Sequence, residues 1–191
     1  MQEYLLKTSQ STLLRRVRQW DEEALTATYD EYAPAIYRYA CRLTGHRETA
    51  EEIVSETFHR FLVSLKNGGG PEQNLSAWLY RVAHNLVVDR WRHQPAQEEV
   101  PLTEISGVST VDRNLERVAQ QQEVEDVRCA LKLLTPLQRQ VIVLRYLEGM
   151  SIREVATVVE RDANAVKALQ HRAVNSLKRL LKENDENEKV D

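Results

Sequence analysis

Residues 135–182 read TPLQRQVIVLRYLEGMSIREVATVVERDANAVKALQHRAVNSLKRLLK, and the fold of the C-terminal third turns on this stretch. Thr135-Pro136-Leu137-Gln138 has the form of a capping box with proline at the first helical position. The threonine oxygen can accept from the amide of residue 138, while Gln138 reaches back to the amide of Thr135. The helix that follows carries Val141, Leu144, Tyr146 and Leu147 and stops at Glu148-Gly149. Ser151-Ile152-Arg153-Glu154 is a second capping box. It opens a short helix with Val155, Ala156, Val158 and Val159 inward. Glu160-Arg161-Asp162 makes a turn, with Asp162 able to cap a long last helix. A short helix, a tight turn and a longer helix are the plan of a helix-turn-helix.

The last helix has two faces. Val166, Leu169, Ala173, Leu177 and Leu180 recur at helical spacing and form the inward one. The outward one is Asn164, Lys167, Ala168, His171, Arg172, Asn175, Lys178, Arg179 and Lys182, with no carboxylate. Lysine and arginine meet guanine acceptors or phosphates, asparagine meets adenine, and Ala168 leaves room for a base edge. From Arg128 to Lys182 there are eleven basic residues against four acidic ones, a local charge of +7 in a chain whose net charge is −3. That asymmetry predicts a polyanion partner for this segment. The competing reading is a solvated basic face on a helical bundle; the two capping boxes and the short first helix favour DNA.

The rest of the chain also reads helical, with few glycines and prolines and no alternating β-branched runs. One helix is predicted from Asp21, its cap, to Gly45, with Leu25, Tyr29, Tyr32, Ile36, Tyr39, Ala40 and Leu43 inward. A second runs from Arg47 to Lys66, with Ala50, Ile53, Val54, Thr57, Phe58, Phe61, Leu62 and Leu65 inward. Asn67-Gly68-Gly69-Gly70-Pro71 is a loop without the Lys-Ser/Thr of a phosphate-cradling P-loop. A third helix covers Leu75 to Trp91, with Leu75, Leu79, Val82 and Leu86 as its core stripe. Tyr80, His84 and Trp91 then fall on the opposite face, with Arg81, Asn85 and Arg92 alongside. Interleaved aromatic and basic groups suit an unpaired nucleic-acid strand. Trp91 fits packing equally well, and Trp78 fits packing better. Periodicity decays over 94–114, a predicted flexible linker. Helix resumes from Leu115 to Leu134, and residues 183–191 form an acidic, frayed tail. The expected architecture is all-α, with two small helical domains at 20–93 and 115–182.

Several function classes are excluded. No apolar run is long enough to span a membrane. Residues 1–20 hold a basic cluster (Arg15, Arg16, Arg18) and no apolar signal core, so a cytoplasmic protein is expected. Cys41 and Cys129, far apart on helical patterns, read as buried structural thiols. His46, His59, His84, His93 and His171 show no metal-ligand spacing. With no nucleophile–histidine pair, metal cluster or nucleotide loop, no catalytic residue, metal or cofactor is expected.

The stretch from Leu134 to Ala156, with Ala165–Ala173, resembles region 4 of the sigma-70 family, in particular its extracytoplasmic-function (ECF) group. Arg47-Glu48-Thr49-Ala50-Glu51-Glu52-Ile53-Val54-Ser55-Glu56-Thr57-Phe58 is similar to region 2.2, and Ala77–Leu86 to the segment that melts and reads the −10 element. The resemblance covers most of residues 21–182. It implies a dissociable, non-enzymatic subunit of RNA polymerase that directs promoter recognition and transcription initiation. It further implies that Glu51, Glu52, Ile53, Glu56 and Phe58 dock on the β′ clamp helices, with the β flap as another polymerase partner. Tyr80, Arg81, His84, Asn85, Trp91 and Arg92 would serve the −10 element. Lys167, Ala168, His171 and Arg172, with Asn164 beside them, would read the −35 element, and Ser151 and Arg153 would meet phosphates. An anti-sigma factor is a further implied partner. The linker, with Glu98, Glu99, Glu104 and Asp112, would thread toward the polymerase active centre or act as a plain tether. The sequence departs from the family at Thr49, where aspartate is common, at Glu160-Arg161, where a glycine and an apolar residue are usual, at Asn164-Ala165, where Gly-Thr is usual, and at Leu169-Gln170. Two other classes compete: a helix-turn-helix regulator that binds DNA as a dimer, and a helical adaptor for which DNA is irrelevant.

Overall fold

The computed structural model describes residues 11–93 and 129–187, with side chains as far as Leu181. All regular structure among the described residues is helical. The predicted linker and residues 115–128 of the helix predicted from Leu115 to Leu134 lie outside the described residues, as do 188–191. The chain divides into two compact units.

The first unit holds α1 (residues 11–18), α2 (Glu22–Thr44), α3 (Arg47–Lys66) and α4 (Leu75–His93). Helices α2, α3 and α4 pack on one another. Asp21 caps α2 as expected, its Oδ1 accepting from the Ala24 amide at 3.0 Å. Gly45 ends that helix in the left-handed region, its N–H bonding the Cys41 carbonyl, which a residue with a Cβ adopts only at a cost. Asn74 caps α4 by accepting from the Ala77 amide at 2.8 Å. The core of the unit includes Ile36, Tyr39, Phe61, Leu79 and Val87, all essentially inaccessible. Each such side chain contributes about 1.5–3 kcal/mol by leaving water.

Helix α1 was not foreseen. Its apolar pair Leu14 and Val17 is buried, but it is too short a pattern to stand out among Arg15, Arg16 and Arg18. Arg16 folds back on the start of α2, pairing with Asp21 at 2.9 Å and Glu23 at 2.9 Å. The predicted inward stripe of α2 is rotated at its first turns. Ala24 and Thr28 are buried there, while Tyr29 is 51% exposed and Leu25 half-buried. On α3, Leu62 likewise faces out.

The second unit is built on α5 (Pro136–Ile142), α6 (Ile152–Val158) and α7 (Ala163–Asn187), after a helical turn at 129–132. The helix expected after Thr135 does not stay α-helical to Leu147. Val143–Leu147 opens into a π-helical turn, which re-aims the side chains beyond it. Val141 and Leu144 remain fully buried, while Tyr146 and Leu147 face out. Leu134, Ile142 and Ala173 form one core cluster, packed by Leu131, Val174 and Leu177. Helix α7 runs on to Asn187, through the start of the predicted frayed tail. Cys41 is buried, but Cys129 is exposed, against the expectation of a buried thiol.

Candidate nucleic-acid interface

All three predicted caps of the helix-turn-helix are made. The Gln138 amide donates to Thr135 Oγ1 at 3.4 Å, and the Thr135 amide donates to Gln138 Oε1 at 3.2 Å. The Ser151 and Glu154 pair repeats the arrangement at 2.8 and 3.2 Å. Asp162 Oδ1 accepts from the amides of Asn164 and Ala165, both at 2.9 Å. Each cap satisfies amides that a helix start otherwise leaves bare. Together they set where α6 and α7 begin, and so which residues lead α7.

Helix α7 presents the two faces read from its spacing. Val166 and Ala173 are fully buried, and Leu169, Leu177 and Leu180 are half-buried. Asn164, Lys167, Ala168, His171, Arg172, Asn175, Lys178 and Arg179 are all exposed; the side chain of Lys182 lies outside the described residues. Ser151 and Arg153 are exposed at the start of α6. The outcome is a continuous cationic and amide surface, with no carboxylate from Asn164 to Arg179. Its chemistry suits phosphate oxygens and base-edge acceptors.

Two groups that hold this surface were not foreseen. Gln170 Nε2 donates to Tyr146 Oη at 2.8 Å, which links the π turn to α7. Asn175 Nδ2 stands 3.3 Å from His171 Nδ1, one turn apart on the outer face. The second was legible in principle as an i, i+4 pair; the first depends on the π turn, which has no pattern in the sequence.

Helix α4 corrects the sequence reading. Tyr80 and His84 do not lie opposite the core: they are 4% and 6% exposed. The buried stripe is Leu75, Leu79 with Tyr80, Ala83 with His84, and Val87, while Val82 and Leu86 are only half-buried. The cause is packing against α2. The Tyr39 and Tyr80 rings meet edge to face with centroids 5.4 Å apart, and Tyr39 Oη stands 3.5 Å from His84 Nδ1. Burial draws the His84 imidazole down to about 4, so it is neutral at pH 7. Neither ring can stack on a DNA base. Arg81, Asn85 and Trp91 are half-buried and Arg92 is exposed. Arg92 also reaches Asp89 at 3.4 Å. Trp78 packs on Phe61 with centroids 5.7 Å apart.

The acidic helix α3 needs a similar correction. Glu51 and Glu52 are exposed and Glu56 is partly so, but Ile53 and Phe58 are 4% and 8% exposed. Phe58 stacks between Tyr29, at 4.8 Å, and Phe61, at 6.4 Å. Both are packed into the core and present little area of their own, Ile53 at the floor of a small groove beside Glu52 and Glu56 and Phe58 at that of the larger groove between α2 and α3. Glu56 bonds Arg60 at 2.7 Å, which holds its carboxyl below the usual range, and Glu52 pairs with Arg90. Thr49 is buried. Between α2 and α3 lies an open groove of about 1120 Å³, lined by residues that include Trp20, Leu25, Tyr29, Pro34, Tyr37 and Leu62. It went unforeseen because Leu25 and Tyr29 were assigned to the core.

Residues 28–96 match the family described as Sigma-70 region 2, and residues 125–177 the family described as Sigma-70, region 4. The chain is 34% identical over 170 residues to the ECF RNA polymerase sigma factor BldN of Streptomyces coelicolor, covering 88% of this chain and 64% of that one. It thus spans less than two thirds of the length of that relative. It is 33% identical over 165 residues to the ECF RNA polymerase sigma factor SigL of Mycobacterium tuberculosis, covering 83% of this chain and 89% of that one. Its fold is similar to the sigma factor RpoE of Bartonella quintana, solved in complex with the anti-sigma factor NepR. The TM-score is 0.59 at 23% identity, over 82% of this chain and 96% of that one.

Proposed function

Because the chain belongs to the ECF group of the sigma-70 family, we propose that it is a dissociable subunit of RNA polymerase that directs promoter recognition and strand opening. The observation that carries this reading is the carboxylate-free outer face of α7, set on a fully capped helix-turn-helix in a chain that also contains sigma region 2. In this reading Asn164, Lys167, Ala168, His171 and Arg172 meet the −35 element in the major groove, and Ser151 and Arg153 meet phosphates. Arg81, Asn85, Trp91 and Arg92 meet the unpaired strand of the −10 element, where cations hold phosphates and the half-buried indole can stack on a base. Tyr80 and His84 support these residues from inside the fold.

The polymerase surface is then the carboxylates Glu51, Glu52 and Glu56, which suit the β′ clamp helices if those present basic groups. The β flap would be held by the second unit. An anti-sigma factor is a further partner by analogy with the Bartonella protein. No described helix is long and apolar enough to cross a membrane, and the protein would act in the cytoplasm with no catalytic residue or cofactor of its own. A dimeric helix-turn-helix regulator would need no region 2, so that reading is not favoured.

The test adds the purified chain to core RNA polymerase on a pool of genomic promoter fragments and reads run-off transcripts. Promoter-specific transcripts that require the chain are expected. No initiation and no co-elution with core, from folded protein free of inhibitor, would overturn the proposal.

A further inference from the structure

His171 and Asn175 are both exposed, one turn apart on the outer face of α7. The side-chain amide nitrogen of Asn175 stands 3.3 Å from His171 Nδ1. An amide nitrogen donates and does not accept, so this contact is a hydrogen bond in the tautomer whose Nδ1 is bare. In neutral imidazole the proton then sits on Nε2. Nε2 is the ring nitrogen farther from the backbone and the one that leads toward anything laid against this face.

We propose that Asn175 is a positioning residue that fixes His171 as a donor through Nε2–H, so that His171 recognises a hydrogen-bond acceptor on promoter DNA. This rests on the reading of α7 as the −35 recognition helix and adds a polarity to it. A neutral histidine without a partner can offer either a donor or an acceptor at its outer edge. The Asn175 amide removes that choice before DNA arrives, and a group already set in its bound form loses less on binding.

The polarity restricts what His171 can read. In the major groove guanine offers N7 and O6, adenine N7 and thymine O4, whereas cytosine offers only its amino donor. A base opposite His171 is therefore guanine, adenine or thymine and not cytosine. A phosphate oxygen is the other acceptor of the same chemistry. The neighbours Lys167 and Arg172 are donors too, so the three groups ask the same kind of partner of the DNA.

Two measurements test this on the full chain. The first is ¹⁵N NMR of the His171 ring in the free protein. The expected signature is a bare Nδ1 and a protonated Nε2, weakened in N175A and kept in N175Q, which retains the amide donor. The second is selection of duplexes randomised over the −35 element, with the chain assembled on core polymerase. Wild type and N175Q are expected to exclude cytosine at one position where H171A is indifferent. N175A is expected to bind roughly two- to ten-fold more weakly, the range of one hydrogen bond. If the acceptor is a phosphate, H171A lowers affinity without altering any base preference, and because a neutral imidazole neutralises no phosphate charge it leaves the log–log salt slope unchanged. A proton on Nδ1 in wild type would overturn the proposal. So would N175A matching wild type in both ring signature and affinity while H171A does not. If wild type itself selects no −35 sequence, the recognition-helix reading fails and this one with it; selection by wild type that N175A leaves untouched overturns only the role of Asn175.

Discussion

Tyr146 Oη accepts a hydrogen bond from Gln170 Nε2 at 2.8 Å, tying the π turn that follows α5 to the third turn of α7. Tyr146 is more than half exposed, so the bond is made at the surface. Its worth lies in holding two helices at a fixed spacing. Removing the hydroxyl in Y146F is expected to cost about 0.5–1 kcal/mol, the low end for a single hydrogen bond. Urea unfolding of the two proteins checks the figure. A loss above that range would mean that the phenol oxygen holds more than Gln170.

Glu160 has φ +52, the left-handed position that ends α6. The Arg161 amide bonds the Ala156 carbonyl across it at 3.0 Å, as in a Schellman motif. This is where family members carry glycine. A side chain with a Cβ is strained there by roughly 1–2 kcal/mol, part of which glycine gives back as extra freedom in the unfolded chain. E160G is expected to stabilise the chain by about 0.5–1 kcal/mol, read as a higher urea midpoint at unchanged slope. A lower midpoint would show that the Glu160 side chain makes a compensating contact.

His84 makes stability depend on pH. Its folded pKa is lowered by burial to about 4, against 6.5 for an ordinary histidine. Between these values the unfolded chain binds more protons than the folded one. Stability is therefore full above about pH 6.5, falls as pH drops through the window, and stops falling below about pH 4. The full depth is roughly 3 kcal/mol. Urea unfolding at pH 7 and pH 4.5 should show that loss in wild type and a smaller one in H84Q, both referred to their own values at pH 7. Equal losses in the two would place the acid sensitivity elsewhere.

How much of this was legible in the sequence differs between the two units. The caps at Thr135, Ser151 and Asp162 were legible because a capping box is a local pattern, decided by residues three apart. The outer face of α7 was legible because polar and apolar residues separate cleanly there. Helix α4 was misread for a physical reason. Tyr80 and His84 are amphipathic, and a hydropathy stripe assigns such residues to the surface. Their burial depends on Tyr39 of α2 offering a ring and a hydroxyl to meet them. That is tertiary information. Ile53 and Phe58 were assigned to both the core and a docking surface; Tyr29 and Phe61 packed against Phe58 place that ring in the core.

The most direct test of the central claim is run-off transcription by core polymerase carrying wild type or the K167A/R172A double variant. Both residues are exposed on α7 and far from the carboxylates of α3 in the chain. The account predicts that the variant still co-elutes with core but loses promoter-specific transcripts. Duplex affinity for the −35 element should fall, with its log–log salt slope reduced by about 1.8 if both groups meet phosphates. Undiminished promoter-specific transcription by the variant would contradict the assignment of α7 as the surface that reads the promoter.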